Sequence, residues 1–399
     1  MPVPELADWA AAFEPTADDR ALARHALADT LAVTLAARDE PVAARTAGLP
    51  AALRWAAIGH ALDFDDVHLP STSHLSVVCA SATLAAGGGA RAYLAAAGVM
   101  ARLGTALGWE HYRRGRHTTC SAGALAASVG AALSLGLDGD GIARAMALAV
   151  PAAGGLQGTF GTEGKPLQVG FAADAGVRAA RLAAAGASAD PAVLDAWFEL
   201  ADGEGDIELS GPAVPDGLAV KLFPCCYALQ RPVATARLFG QVPVASIAGV
   251  EVVVSESTLQ PLIRDLPRTG LQAKFSLPYA VAAALIDGFP TAASFTDEAV
   301  ARPGVARLLD ATTVRTVPGG AGVLAGDTAV GIRFAGGRTE YRTLAVPAGH
   351  PRAPAGPEER AAKIVGCVGE EWAARVSSAD WHEAARILAR AYPATAATP

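Results

Sequence analysis

One stretch of the sequence, HALDFDDVHLPSTSHLS (residues 60–76), concentrates carboxylates and imidazoles inside an otherwise apolar chain. A charged group beside apolar segments must be paired, hydrogen-bonded or exposed, because burying it alone costs several kcal/mol or shifts its pKa. The stretch is therefore either a solvated turn or a site of acid/base chemistry. Its titratable residues are Asp63, Asp65, Asp66, His60, His68 and His74.

Two further segments place cations where an anion could bind. In HYRRGRHTTCSAG, His117 and three arginines precede the start of a Ser/Thr-rich helix, whose free N–H groups favour an anion; the alternative is an exposed basic loop. In LQGTFGTEGKPLQVG, glycines allow a ligand to approach the backbone closely. Lys165 in this loop either pairs with a carboxylate of that ligand or is a solvated lysine. Neither segment has the spacing of a nucleotide-binding loop, and His117 with Cys120 lacks the CxxC pair typical of zinc sites.

A fourth segment, AVKLFPCCYALQRP, lies where the composition of the chain changes. Lys221 is of interest here because boundaries between domains commonly flank binding clefts. The adjacent Cys225 and Cys226 are more typical of small core residues than of a nucleophile, since no Cys/His/Asn arrangement can be identified.

The totals of the chain restrict its partners. The net charge is −7 and basic residues are scattered, so nucleic acid and anionic membranes are not expected partners and small molecules are. The N-terminus does not have the pattern of a secretory signal, and no apolar run is long enough for a membrane span. Five cysteines, odd in number and widely spread, favour a reducing cytoplasm. A charged fraction of only 18% also favours self-association.

Helical patterns dominate the first 200 residues and return at the end of the chain. Thr16 and Asp19 form a capping box before a helix in which leucines recur on one face. Strand patterns appear in GVEVVVS, TTVRTV and AVGIRFAGGRTEYRTLAV, with helical segments between them. Because 399 residues exceed the usual size of one core, we expect a mainly α protein with a large helical domain (residues 1–219 and 361–399) and an inserted, smaller α+β domain (residues 220–360).

The ordered motifs LDFDDVHLPSTSH, RRGRHTTCSAG, FGTEGKPLQVGFAADAG, VKLFPCC and AKFSLPYAVAAALIDG together resemble the MmgE/PrpD family. That family includes 2-methylcitrate dehydratase, cis-aconitate decarboxylase and iminodisuccinate epimerase. The resemblance implies a large all-α domain formed by both chain ends, an inserted α+β lid domain, and a homodimer. It also implies a site between the two domains that uses no metal and no organic cofactor.

The resemblance assigns roles to individual residues. His74, oriented by Asp63, is expected to be the principal acid/base, with Tyr279 as a second proton donor or substrate anchor. Removing a proton from carbon beside a carboxylate builds charge on the carboxylate oxygens. Lys165, Lys221 and a protonated His117 are expected to stabilise that charge.

Three further positions are expected to contact the substrate: Val67, Cys226 and Gln230. Val67 stands where the family commonly has threonine, and Gln230 where many members have histidine. These departures leave the proton-transfer groups in place but leave open both the identity of the substrate and whether the reaction is a dehydration.

The function expected from these residues is that of a cofactor-independent lyase acting on a small polycarboxylic or related acid, with loss of water or carbon dioxide. The alternative is an isomerase or epimerase that abstracts the same proton without net elimination, which the loss of a hydroxyl at Val67 favours. A noncatalytic ligand-binding protein is the third possibility.

Overall fold

The computed structural model describes residues 3–262 and 265–393. The first half of the chain is helical, and the start of its second helix shows the local sequence signals that favour a helix. Thr16 and Asp19 form the predicted capping box, and Leu27 and Leu31 are buried on one face. The helices are α1 (Glu5–Ala12), α2 (Ala17–Ala36), α3 (Pro41–Arg45), α4 (Ala51–His60), α5 (Leu75–Ala85), α6 (Ala90–Arg113), α7 (Thr118–Ser134), α8 (Gly139–Ala149), α9 (Gly164–Ala184) and α10 (Val193–Leu200).

Helix α9 lies at the centre of this helical body and packs against α4 and α7. Small residues make the approach possible. A Cβ atom added at Gly176 would lie 2.4 Å from the Ala127 Cβ atom, and one added at Gly170 would lie 2.6 Å from the Leu53 carbonyl oxygen. This packing brings the C-terminal end of α4 and the N-terminal ends of α7 and α9 into one region.

The middle of the chain forms a four-stranded sheet covered by helices. The strands lie in the order β2-β1-β3-β4; β1 is parallel to β2 and antiparallel to β3, which forms a hairpin with β4. Gly337, with a φ of 86°, provides the positive φ that the hairpin turn requires. The elements are α11 (Tyr227–Arg237), β1 (Ile247–Ser255), α12 (Gly270–Ala273), α13 (Leu277–Asp287), α14 (Asp297–Val300), α15 (Pro303–Ala311), β2 (Thr312–Val317), β3 (Thr328–Phe334) and β4 (Thr339–Leu344).

The final helices return to the N-terminal body. They are α16 (Pro357–Val368), α17 (Glu370–Ser378) and α18 (Trp381–Ala391), and all three pack against α2. The mainly α architecture with one small sheet is therefore confirmed. The boundaries at 219/220 and 360/361, and the role of the middle segment as a lid, stay predictions. Among the described residues, every helix is too short or too polar to cross a lipid bilayer.

The apolar core of the middle segment extends into the helical body. Val250, Val252 and Val254 of β1 pack in this core, and Tyr112 and Phe160 of the helical body belong to the same cluster. The two parts of the chain thus share apolar contacts beside the residues that carry the candidate chemistry.

Candidate active site

The residues of the candidate site come from four segments that the helix packing brings together. His60 ends α4, His117 caps the start of α7, and Lys165 lies in the first turn of α9. The backbone of Ala219, two residues before Lys221, pairs with that of Val67 and so places Lys221 beside this loop. Because α9 packs against both α4 and α7, these remote segments meet around one carboxylate.

That carboxylate belongs to Asp63, which is 2% exposed. Its Oδ1 atom accepts a short hydrogen bond from the Lys221 Nζ atom, and its Oδ2 atom lies 3.2 Å from the Lys165 Nζ atom. Lys221 also donates to the Asp63 carbonyl oxygen at 2.9 Å. Burial alone raises the pKa of Asp63, but the two ammonium groups outweigh it and hold this pKa far below its usual value.

Lys165 fixes the protonation pattern of a neighbouring histidine. Its Nζ atom lies 2.5 Å from the His60 Nε2 atom. An ammonium group is only a donor, so His60 Nε2 is the acceptor and the ring proton is on Nδ1. From there it is donated to the Asp65 carboxylate, at 2.8 Å from Oδ2 and 3.0 Å from Oδ1. Burial lowers the pKa of His60, which favours this neutral tautomer.

His74 lies between the two carboxylates. Its Nδ1 atom is 2.9 Å from the Asp65 Oδ2 atom, and its Nε2 atom is 3.8 Å from the Asp63 Oδ1 atom. Burial lowers the pKa of His74 to about 3, even though Asp65 acts to raise it. The imidazole is therefore neutral near pH 7, which is the form that accepts a proton.

His117 is also neutral, and this differs from the expected cationic role. Burial lowers its pKa well below the usual value, and the Lys165 charge lowers it further. Its Nδ1 atom accepts a hydrogen bond from the Gln168 Nε2 atom at 2.8 Å, and its ring meets Phe160 edge-on at 5.0 Å. The positive charge near Asp63 comes from lysines and not from a protonated His117.

The side chains of Asp63, His74, His117 and Lys165 face a narrow cavity of about 30 Å³ between the helical body and the middle segment. The side of the cavity formed by the middle segment is largely apolar. The lining includes Asp63, His74, His117 and Lys165 and the predicted contact residues Val67 and Cys226. Burial raises the pKa of the Cys226 thiol to about 11, so the thiol is neutral. The remaining lining residues are Leu69, Thr72, Tyr112, Phe160, Tyr227, Ala228, Pro261, Phe275 and Val323.

Three predicted residues, Lys221, Tyr279 and Gln230, do not line this cavity; Lys221 binds Asp63, which does. The Tyr279 hydroxyl donates to the Ser294 carbonyl oxygen at 2.5 Å within the middle segment, so the structure does not bring it together with the other groups. The Gln230 Oε1 atom accepts from the main-chain N–H groups of Leu222 and Phe223, each at 3.1 Å. Gln230 therefore shapes the turn that follows Lys221 and does not face the cavity.

Two residues of the site were not among the expected catalytic or substrate-binding residues, namely His60 and Asp65. Asp65 is close to both His60 and His74 and so connects the lysine-bound imidazole with the cavity-lining one. The signal was present in the density of titratable groups between residues 60 and 76. Sequence position alone does not distinguish His60 and Asp65 from His68 and Asp66, which bind Ser71 and Ser76 instead.

His60, Asp65 and His74 are also the described side chains that could hold a metal ion, since their ligand atoms lie within 4.8 Å of one another. Both histidines, however, direct Nδ1 towards Asp65, and the His60 Nε2 atom faces the Lys165 ammonium group. A metal ion here would compete with a fixed positive charge. The arrangement fits a carboxylate–imidazole network better than a metal centre.

Comparisons with known proteins match both parts of the chain. The model of the MmgE/PrpD N-terminal domain matches residues 42–203, and that of the MmgE/PrpD C-terminal domain matches residues 223–383. The chain is 28% identical over 219 residues to cis-aconitate decarboxylase from Homo sapiens, an alignment that covers 51% of this chain and 45% of that protein. The chain thus spans about half the length of the curated relative it matches.

Proposed function

Because the chain belongs to the MmgE/PrpD family, we propose that it is a cofactor-independent lyase that removes a proton beside a carboxylate of a small polycarboxylic or related acid. In a dehydration, hydroxide leaves from the neighbouring carbon and is released as water once protonated; in a decarboxylation, carbon dioxide leaves and the abstracted proton is returned to the carbon that loses it. One observation carries the proposal: a neutral imidazole, His74, faces a cavity beside a carboxylate that two buried lysines hold in place. The similarity to cis-aconitate decarboxylase supports the same reaction class.

In the proposed reaction, His74 accepts the proton from carbon. A pKa of about 3 makes the free imidazole a weak base. A substrate carboxylate next to it would add negative charge and raise this pKa towards the operating pH, where a general base is most effective. Asp65, 2.9 Å from the Nδ1 atom, would stabilise the imidazolium ion that forms.

Lys165 has the complementary task. As the proton leaves, negative charge develops on the substrate carboxylate, and Lys165 lines the cavity where that charge would form. Its ammonium group also lies 5.1 Å from the Phe160 ring centre and 5.4 Å from that of Phe275. These rings keep water away from the cation and so strengthen its interaction with an anion.

Replacement of His74 tests its role. We expect His74→Ala to lower kcat by about 10² to 10⁴, the usual contribution of a positioned acid/base group. The matched control is His111→Gln, because His111 is also fully buried and binds the Ala201 carbonyl oxygen and Ser121 outside the cavity. Equal kcat values for wild type and His74→Ala, in steady-state assays with the same acid, would refute the assignment.

The alternative, an isomerase or epimerase, is favoured by Val67, which lines the cavity without offering a hydroxyl group to a leaving group. One experiment separates the two: NMR of cis-aconitate, methylcitrate and iminodisuccinate with the enzyme in deuterated buffer. A lyase gives a new product with loss of water or carbon dioxide. Deuterium incorporation without net elimination supports the isomerase, and no reaction with any acid, together with tight binding, supports a noncatalytic binding protein.

A further inference from the structure

Lysine occurs at four positions in this chain, 165, 221, 274 and 363, although lysine and arginine together number 32. All four lysines are buried. Lys165 and Lys221 bind Asp63, and Lys274 is close enough to Asp63 for the two charges to affect each other, although burial is the main reason that its pKa is lowered. The fourth, Lys363, belongs to none of the motifs that indicated the site.

Lys363 lies on α16, in the C-terminal part of the chain, and contacts the loop that carries Asp63 and Asp65. Its Nζ atom lies 2.7 Å from the Asp29 Oδ1 atom of α2 and donates to the Phe64 carbonyl oxygen at 2.9 Å. The ammonium group also lies 4.2 Å from the centre of the Phe64 ring. The three tetrahedral N–H donors of an ammonium group suit this set of partners, whereas the planar fork of arginine does not.

The bound carbonyl lies between the two carboxylates of the site, because Phe64 separates Asp63 from Asp65. Lys221 binds the carbonyl oxygen of Asp63, and Lys363 binds the next one. Asp63 has a φ of 50°, in the left-handed region that a non-glycine residue adopts less readily than glycine. Two buried ammonium groups on consecutive carbonyls therefore hold the loop in an unfavourable conformation that places both carboxylates beside His74.

We infer that Lys363 is a positioning residue of the acid/base site. Its ammonium group pairs with the Asp29 carboxyl at 2.7 Å, and its hydrogen bond to the Phe64 carbonyl fixes the peptide that sets the position of Asp65 relative to Asp63. The effect of Lys363 on kcat rests on the proposed function, because it is measured with that activity. Lys363 is not part of the cavity lining, so it acts through the loop and not on the substrate.

The test uses a double variant, Asp29→Asn with Lys363→Met. Lys363→Met alone would leave the Asp29 carboxylate buried without its partner, which destabilises the fold for reasons unrelated to the loop. In the double variant we expect kcat to fall by about 10- to 100-fold, because small displacements of catalytic groups have effects of this size. KM is expected to change by less than about threefold, since the cavity lining is unchanged.

The matched control is Arg102→Met. Arg102 is a buried cation whose guanidinium donates to loop carbonyls, including those of Ser210 and Ala213, and stacks on Trp9 at 4.3 Å, away from the cavity. We expect a lower Tm and an unchanged kcat. The conservative Lys363→Arg variant keeps the charge but not the geometry of the donors, so its kcat should lie between those of the wild type and the double variant.

A second readout does not need turnover. The ¹⁵N NMR signals of the His60 and His74 rings report their tautomers and their contacts with Asp65, and we expect them to shift in the double variant but not in Arg102→Met. Wild-type kcat and unshifted signals in the folded double variant would overturn the positioning role. A wild type that leaves every acid unchanged would refute the proposed function instead, and the NMR comparison would still decide the role of Lys363.

Discussion

At the scale of single residues, Asp66 shows how differently neighbouring carboxylates can behave. Asp63 is bound by lysines, whereas Asp66 is buried among neutral hydroxyl groups: Ser76 donates to it through both its main-chain N–H and its Oγ atom, and Tyr93 lies 2.7 Å from that Oγ atom. Burial raises the pKa of Asp66 to about 7, despite the Ser76 hydrogen bonds. The pKa values of two carboxyl groups three residues apart are thus shifted in opposite directions, because Asp63 has cations beside it and Asp66 has none.

This raised pKa predicts a pH dependence of stability. The unfolded chain releases the Asp66 proton near its ordinary pKa of about 3.9, whereas the folded chain keeps it until about pH 7. The unfolded state therefore binds fewer protons in this window, and stability falls as pH rises from about 4 to 7. We expect this contribution, up to about 4 kcal/mol from a shift of roughly three pKa units, to be absent in Asp66→Asn.

Urea unfolding of both proteins between pH 4 and 8 measures the effect. The difference between the two free energies of unfolding isolates Asp66 from the other titrating groups. A difference that is constant over this range would show that the carboxyl is already ionised at pH 4.

At the scale of elements, the close packing of α9 decides whether the site forms at all. Lys165 at the start of α9 reaches Asp63 only because this helix lies against α4 and α7 without large side chains between them. At Gly176, an added Cβ atom would lie 2.4 Å from the Ala127 Cβ atom and 2.5 Å from the Ser128 main-chain nitrogen. The backbone of α7 would have to move.

We therefore expect Gly176→Ala to destabilise the protein by about 1–3 kcal/mol, as overpacking of a core does. The matched control is Gly366→Ala, also inside a helix, where an added Cβ atom meets nothing within 4 Å. That substitution should stabilise by about 0.5–1 kcal/mol, because alanine loses less backbone entropy than glycine in a helix. Equal free energies of unfolding for the two variants would contradict the packing argument.

At the scale of the whole molecule, the predicted homodimer is open to a direct test. Exposed apolar side chains are present on the helical body, among them Leu200 at 79%, Leu156 at 59% and Phe171 at 54% exposure. A stable pair of chains would give a mass of about twice 40.3 kDa by light scattering after gel filtration. A mass of one chain at micromolar concentration would refute the homodimer, and His74→Ala, which changes only the cavity, should have the same mass as wild type.

The sequence by itself determined the helical pattern, the strands of the middle segment and the chemical groups available between residues 60 and 76. These features are readable because capping, periodicity and turn formation depend on residues close together in the chain. The predicted strands and hairpin at Gly337 agree with the structure for this reason.

Only the tertiary structure decided which groups meet and in which protonation state. It brought His60 and Asp65 into the site, placed Lys221, Tyr279 and Gln230 outside the cavity lining, and left His117 neutral. These outcomes depend on contacts that only folding makes, such as that of Lys165 with His60, 105 residues away, or on how far burial outweighs a neighbouring charge, as at His117. Neither quantity is encoded in local spacing, because both arise only when α9 packs between α4 and α7 and the loop around Asp63 closes on its lysines.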